Sequence, residues 1–377
     1  MRIKLFLIIT LLLVILLPSH GQSKVFDLKN QLSLQTGINF SDEAKTAYMA
    51  LRYIPTFNIT GDFKKDRSID AELSLNSYAN FYYTGGGLDE YNWKARPYRL
   101  WIRYSSPRFE LRAGLQKISF GSAYILRPMM WFDKIDFRDP LQLTDGVYGL
   151  LGRYYFQGNV NIWFWALYGN ENTKGWEVAP TQKQRAEYGG RFQVPLFTGE
   201  LAASYHYRRA DYSAFYVMQP AVSDPYFTDQ LLGVDGKWDI GVGLWFEYSL
   251  KINDKENILF EEDEHYINIG LDYTFGLGNG LNIITEYFRY ESNMSNNYSV
   301  ISANYPFGLM NRMIAAVYYN WDTEDLYRFI SFQRDTDYWS FNLMAFWNPE
   351  GASIYSSSSD RNLMSGTGMQ FIAILNF

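Results

Sequence analysis

The sequence predicts an all-β chain that closes into a transmembrane antiparallel barrel. Three observations support this fold class. Many segments of about ten residues alternate apolar and polar side chains, as the strands of membrane barrels do. Aromatic residues make up 18% of the chain. No stretch after the N-terminus is long and apolar enough for a spanning helix, and only helices and closed barrels satisfy backbone polar groups in lipid.

The first 21 residues are expected to be a secretory signal peptide. Arg2 and Lys4 precede an unbroken apolar run at residues 5–17, which Pro18 ends. Small residues follow, up to the expected cleavage site before Gln22. The apolar run is shorter than the ~20 residues that a spanning helix needs. An uncleaved membrane anchor is the alternative interpretation.

Composition excludes several classes of function. The chain has no cysteine, so disulfides, thiol catalysis and cysteine-bound metals are impossible. Loss of the signal peptide removes Arg2 and Lys4 and changes the formal charge from −6 to −8. An acidic chain argues against a nucleic-acid partner.

The strand pattern is clearest at residues 201–208, LAASYHYR, where apolar and polar side chains alternate with period two. The same pattern recurs at residues 242–250, 267–275 and 339–347. In a membrane barrel the apolar face points to lipid and the polar face lines the lumen. Many of these segments end in Tyr, Trp or Phe, which is typical of rings at the lipid–water boundary.

The connections predict the strand number, because barrels alternate short periplasmic turns with longer outer loops. Short turns are expected at residues 105–108, 157–159, 195–199, 239–240, 276–280, 322–324 and 348–351. Long loops are expected at residues 84–96, 117–145, 170–186, 210–228, 252–264 and 291–311. We count about 18 strands in a barrel at residues 31–377, preceded by a periplasmic tail at residues 22–30. Without the weak segments 31–40 and 353–357 the count is about 16.

The last strand alternates Phe371, Ala373, Leu375 and Phe377. It resembles the C-terminal strand of bacterial outer-membrane proteins. That resemblance implies that the barrel-assembly machinery recognises Phe377.

Few residues could carry catalysis. The mature chain has two histidines, His206 and His265, and neither lies near a serine in a nucleophile pattern. The acidic run at residues 261–264 could bind Ca²⁺, but it lacks the spacing of a dedicated loop, and a solvated surface is the simpler interpretation. No enzyme activity, metal site or cofactor is expected.

Charged residues on the lumen face form two groups. The N-terminal half of the wall is expected to be basic, with Arg99, Arg103, Arg108, Arg112, Arg153, Arg191 and Arg208. The C-terminal half is expected to be acidic, with Asp235, Glu247, Asp272 and Glu286. Opposed charges across a water-filled lumen create a field that orients polar solutes and selects by sign.

Residues 117–145 keep no strand period and are expected to fold into the lumen, because a wide barrel otherwise leaves an aqueous hole. This segment contains two prolines and several aromatic rings. Its charged residues are Arg127, Asp133, Lys134, Asp136, Arg138, Asp139 and Asp145. We expect its aspartates to bond to the wall arginines as bidentate pairs. Arginines left over would then face the solute.

The segment also resembles a known family. GLQKISFG at residues 114–121, Arg127-Pro128, and FRDP at residues 137–140 are similar to a motif of Gram-negative outer-membrane porins, including phosphate-selective and alginate-export-like porins. The resemblance implies a bacterial outer-membrane location, with lipid and lipopolysaccharide around the barrel.

Together these features predict a porin-like channel for passive diffusion of small polar, anionic solutes. The alternative is a plugged barrel that binds surface glycans or takes part in an assembly. A lipid-modifying enzyme is a third option, without a catalytic set to support it. The sequence leaves homo-oligomerisation open.

Overall fold

The computed structural model describes residues 26–41, 46–62, 66–216, 225–254, 263–292, 295–350 and 364–377. The expected signal peptide, the first four residues of the expected tail and the expected strand at residues 353–357 lie outside these ranges. The signal peptide therefore stays a prediction.

The described residues form 18 strands in one antiparallel sheet. In chain order the strands are β1 Phe26–Asn39, β2 Thr46–Asp62, β3 Ser68–Thr84, β4 Gly87–Ser105, β5 Phe109–Gln116, β6 Val147–Tyr155, β7 Asn161–Leu167, β8 Glu187–Leu196, β9 Gly199–Asp211, β10 Tyr226–Asp239, β11 Gly243–Asn253, β12 Asp263–Phe275, β13 Leu281–Glu291, β14 Ser295–Phe307, β15 Asn311–Asn320, β16 Leu326–Asp335, β17 Trp339–Trp347 and β18 Thr367–Asn376. Each strand pairs with the next, and β18 pairs with β1. The sheet is therefore a closed barrel of 18 strands, as predicted, and not of 16.

The outer surface of the barrel is apolar. Alternate side chains of every strand point outward, and large apolar ones remain exposed, such as Phe164 at 64% and Ile269 at 58%. Closure leaves no free sheet edge at membrane depth, so such a surface is stable in lipid. Across the described part of the chain, no helix is long and apolar enough to cross a membrane.

Several predicted connections are wrong. Residues 84–96 are not a long loop, because Gly85 and Gly86, with φ of 59° and 84°, make a tight turn between β3 and β4. Residues 291–311 contain the whole of β14. With β14 in place, residues 322–324 and 348–350 lie on the outer side of the barrel, opposite to the predicted side. Residue 351 of the predicted turn lies outside the described ranges. The expected tail is also too long, since β1 begins at Phe26.

The C-terminus closes the barrel beside β1. The N–H of Phe377 donates to the carbonyl of Asn30 at 3.0 Å, and the N–H of Asn30 donates to Phe377 at 2.7 Å. The alternating final strand is confirmed as β18. Recognition of Phe377 by the assembly machinery stays a prediction.

Strand length varies around the wall. β2, β3 and β4 have 17, 17 and 19 residues, whereas β5, β6 and β7 have 8, 9 and 7. The long irregular segment leaves the wall at this low side, after Gln116, and returns at Val147. We call residues 117–146 the inward loop.

A charge on the lipid-facing surface should destabilise the barrel. Ile269 lies near the middle of β12 and faces outward. We expect Ile269→Arg to lower the free energy of unfolding by about 2–4 kcal/mol. Urea unfolding of protein folded into lipid vesicles measures this change. Phe197→Arg, at a turn residue that is 93% exposed, is the control and should have little effect; equal destabilisation by both variants would contradict the assigned orientation.

Candidate functional site: the inward loop and the lumen wall

The inward loop lies inside the barrel and is largely buried. Ile125, Leu126, Met129, Met130 and Trp131 each expose 3% of their surface or less. Burial of this kind requires contact with the lumen wall, since a loop in solvent would leave these apolar side chains exposed to water. The predicted inward fold of this segment is therefore observed.

Glu286 of β13 holds the first half of the inward loop. Its carboxylate accepts the backbone N–H groups of Tyr124 at 2.8 Å, Ile125 at 3.1 Å and Leu126 at 2.7 Å. Asn268 donates to both Glu286 and the carbonyl of Leu126. Buried backbone N–H groups need acceptors, and hydrogen bonds to a charged acceptor are stronger than neutral ones.

Two further carboxylates of the acidic wall bind the same half of the loop. Glu247 of β11 accepts the N–H of Ala123 at 2.9 Å and that of Met129. Asp235 of β10 accepts the hydroxyl of Ser122 at 2.9 Å. Gly121 lies against Glu247 with a φ of 105°, and a Cβ there would come within 2.5 Å of the carboxylate. Only glycine fits this contact.

The expected pairing of loop aspartates with wall arginines is wrong for Asp133 and Asp136. Asp133 bonds to Arg127 at 3.1 Å and Asp136 to Arg138 at 2.7 Å, and both arginines belong to the loop itself. Asp145 does reach the wall, but it bonds to Arg96 of β4 at 2.6 Å. Arg96 was not among the predicted lumen arginines.

Asp133 and Asp136 do not bond to the wall arginines because arginines of the loop itself lie closer to them in the chain. Arg138 is two residues from Asp136, so their pairing orders little chain. The wall carboxylates Glu247 and Glu286, in contrast, accept hydrogen bonds from backbone N–H groups of the loop. Burial lowers the pKa of the two other loop cations, Lys117 and Lys134.

Three predicted arginines form one cluster on β4, β5 and β6. Arg112 bonds to Glu110 at 3.1 Å, while Arg103 and Arg153 approach the same carboxylate at 3.8 Å and 3.9 Å. Arg103 also bonds to Asp70 at 3.1 Å. We call Arg103, Arg112 and Arg153 the arginine cluster. Its side chains are only partly buried, and they do not contact the inward loop through any ion pair among the described residues.

Tryptophan rings support the arginine cluster. The guanidinium of Arg112 lies 4.7 Å from the ring of Trp101, and that of Arg153 lies 3.9 Å from the ring of Trp163. Such stacking orients a guanidinium without neutralising its charge. The Nε atoms of Arg112 and Arg153 have no hydrogen-bond partner among the described residues.

The other predicted arginines are neutralised or lie elsewhere. Arg191 bonds to Asp235, and Arg208 bonds to Asp229 and Glu177. Arg99 is buried and donates to the carbonyl and hydroxyl of Thr144 in the inward loop, both at 3.1 Å. Arg191 and Arg208 are therefore neutralised by carboxylates, whereas Arg99 is buried and bonds to neutral groups of the inward loop.

Two predicted wall residues do not contact the loop. Arg108 is exposed in the turn between β4 and β5, outside the strand wall, so its assignment to the lumen wall is wrong. Asp272 is on β12 beside Gly243, and no hydrogen bond or ion pair of the described residues joins it to the loop.

The far side of the loop packs on an apolar wall that the sequence pattern did not predict. Ile125, Leu126 and Met130 of the loop form one buried cluster with inward residues of β12 to β17, including Tyr318 and Phe329. Strand β15, NRMIAAVYYN, is apolar on both faces. The loss of alternation in β15 could have predicted the apolar inner wall, because a strand buried on both faces has no polar side.

The two histidines lie in structural positions. His206 is buried, accepts the indole N–H of Trp165 at 3.1 Å and lies 3.2 Å from Glu187. His265 lies 2.9 Å from the hydroxyl of Tyr248. Among the described residues, no three His, Asp or Glu side chains converge to hold a metal.

Asp139 of the inward loop faces strand β2. Burial raises the pKa of its carboxyl from 3.8 to about 6, although the N–H of Leu141 and the nearby Arg52 guanidinium act in the opposite direction.

Removal of the Glu286 carboxylate should release the first half of the loop. Each N–H left buried without an acceptor costs about 1–3 kcal/mol. We expect Glu286→Ala to abolish the hydrogen-exchange protection of the amides at residues 124–126. Asp272→Ala is the matched control, since it removes a carboxylate from the neighbouring strand without touching the loop. Retained protection in Glu286→Ala would rule out this anchor.

The docked loop should gain stability as the pH falls. Because the folded-state pKa of Asp139 is raised above its ordinary value, the folded state binds the proton more tightly. We therefore expect loop amide protection to increase from about pH 7.5 to about pH 5, after correction for intrinsic exchange rates. Asp139→Asn should remove most of that pH dependence, and an unchanged dependence would contradict the assignment.

Comparisons with known proteins identify solved structures with a similar fold. No protein-family model matches the chain, and no curated protein matches it. Three Gram-negative outer-membrane porin structures are similar. OpdL of Pseudomonas aeruginosa has a TM-score of 0.57 and 10% identity, over 93% of this chain and 98% of that one.

OccAB4 of Acinetobacter baumannii has a TM-score of 0.56 and 7% identity, over 95% of this chain and 100% of that one. OccK7 (OpdD) of P. aeruginosa has a TM-score of 0.55 and 11% identity, over 94% of this chain and 98% of that one. At these identities the likeness shows the fold alone. With the apolar outer surface, it gives this chain the fold of a bacterial outer-membrane β-barrel.

Proposed function

We propose that this barrel is an outer-membrane channel for passive diffusion of small polar, anionic solutes. One observation carries the proposal: the inward loop binds carboxylates of β11 and β13 and leaves the arginine cluster on β4 to β6 partly exposed, with side-chain exposures of 30%, 16% and 20%. The loop takes Glu247 and Glu286 as acceptors for its backbone N–H groups. A solute that passes the loop therefore meets guanidinium groups.

The crowding of guanidinium groups supports anions. Three arginines share Glu110, Arg103 also bonds to Asp70, and Glu72 acts electrostatically on Arg112. In a narrow aqueous passage with low-dielectric walls, clustered guanidinium groups attract anions and repel cations. The partly exposed guanidinium groups of the cluster suit carboxylate or phosphate oxygens.

The proposal involves no reaction and no cofactor. His206 and His265 bond to neighbouring side chains, and neither has a nucleophile at hydrogen-bond distance in a triad arrangement among the described residues. Lipid and lipopolysaccharide would surround the barrel, and the assembly machinery would recognise Phe377. Homo-oligomers are compatible with the apolar outer surface.

Neutralisation of the arginine cluster should abolish the preference for anions. We expect the triple variant Arg103→Ala, Arg112→Ala, Arg153→Ala to shift the zero-current potential in a KCl gradient toward zero or to the opposite sign. Planar-bilayer recordings measure this shift. Arg328→Ala, on the exposed outer surface of β16, is the control for loss of an arginine outside the lumen and should leave the potential unchanged. A triple variant with the potential of the unmodified protein would refute the role of the cluster.

A plugged barrel is the second candidate function. The apolar cluster between the inward loop and β12 to β17 favours it, because buried side chains fill this part of the lumen. Absence of any conductance, together with retention of surface glycans on the purified protein, would select this candidate over the channel.

A further inference from the structure

We propose that a second outer segment, residues 168–186 between β7 and β8, fixes the inward loop from above, with Trp176 as the positioning residue. We call residues 168–186 the outer strap. The inference rests on the proposed channel function and deepens it, since it assigns control of the passage to a segment outside the inward loop.

Trp176 bonds to the inward loop at two backbone carbonyls. Its indole N–H donates to the carbonyl of Arg127 at 2.8 Å. Its backbone N–H donates to the carbonyl of Met130 at 3.3 Å. These carbonyls flank the turn that carries Met129 and Met130. The wall carboxylates contact the loop from Ser122 to Met129. The strap holds the turn at residues 127–130, at the end of that range.

The ring of Trp176 also packs against the opposite wall. Its centroid lies 5.9 Å from that of Phe288, nearly parallel at 22°, and 5.8 Å from that of Tyr266. Trp176 therefore joins three parts of the molecule: the strap, the inward loop and strands β12 and β13. A cavity of about 20 Å³ beside it has room for only about one water molecule.

Gly175 makes the approach of the strap possible. Its φ is 45°, and a Cβ at this position would lie 1.6 Å from the carbonyl oxygen of Met130. Backbone meets backbone here, so no rotamer change relieves the clash. Any larger residue at position 175 must push the strap away from the loop.

Buried ion pairs anchor the strap to the wall. Lys174 bonds to Glu187 at 3.0 Å and to Glu177 at 3.1 Å. Arg208 of β9 bonds to Glu177 at 3.0 Å and donates to the carbonyl of Ala179 at 2.9 Å. The residues on either side of Trp176 are thus fixed, and buried pairs of this kind are costly to break singly.

The arrangement predicts that the strap limits how far the turn of the inward loop moves. Without the Trp176 side chain, the turn keeps its link to Glu247 and the backbone bond from residue 176 to Met130. It loses the indole bond to the carbonyl of Arg127 and the ring packing on Phe288 and Tyr266. The loop then samples positions farther from β12 and β13, and the passage beside it changes in width.

The test uses single-channel recordings of the full chain in planar bilayers. We expect Trp176→Ala to change the mean conductance or its open-state fluctuations on the order of twofold. Gly175→Ala should act in the same direction. Trp321→Ala is the matched control, because Trp321 is 57% exposed at the outer turn after β15 and bonds to Ser299 of the neighbouring strand. Unheated gel mobility verifies that each variant forms a barrel.

A second readout separates this inference from the channel function. Hydrogen exchange at residues 129–132 should lose protection in Trp176→Ala, whether or not the protein conducts. If the unmodified chain shows no conductance, the proposed function fails, and the exchange result alone decides the role of the strap. Unchanged exchange and conductance in both variants would overturn the inference.

Discussion

The structure depends on the bonds between wall carboxylates and backbone N–H groups of the inward loop. A 30-residue segment with almost no regular structure lies inside a membrane barrel, and its backbone donors cannot be left without acceptors. Glu247 and Glu286 accept five of these bonds between them. These two side chains let an irregular loop remain buried, and so they determine which side of the lumen it fills.

The position of the loop then divides the lumen. Toward β12 to β17 the loop packs on an apolar wall and closes that side. Toward β4 to β6 the arginine cluster keeps partial exposure, with Glu110 shared among three guanidinium groups. The acidic and basic groups of the wall therefore have different roles. Glu247 and Glu286 bind backbone N–H groups of the loop, and the arginine cluster keeps part of its surface exposed.

The fold could be predicted from the sequence because a barrel needs only period-two alternation and turn signals. The hairpin of β3 and β4, which turns at Gly85 and Gly86, was predicted to be a loop. The reason is that exposed polar residues such as Asp89 and Glu90, which are typical of loops, belong to strand β4. Strand β14 was missed because its Asn and Ser residues resemble loop composition. In both cases, pairing with the neighbouring strands outweighs local composition.

The site was harder to predict. The inward fold of residues 117–145 followed from length and ring content, and the acidic residues of the wall were identified individually. Their hydrogen-bond partners could not be predicted, because every residue except proline has a backbone N–H group and a sequence does not show which of them need a side-chain acceptor. The expectation of Arg–Asp pairing treated side chains as the only bonding groups. Trp176 was missed for a similar reason, since its contacts are two carbonyl oxygens.

The central claim is that the loop occupies the acidic side and leaves a basic passage. The zero-current potential of the unmodified protein in a KCl gradient tests it most directly. The account predicts a stable conductance with a potential of the sign set by chloride. A potential of the sign set by potassium would contradict the assigned passage, and a barrel that does not conduct would contradict the passage itself.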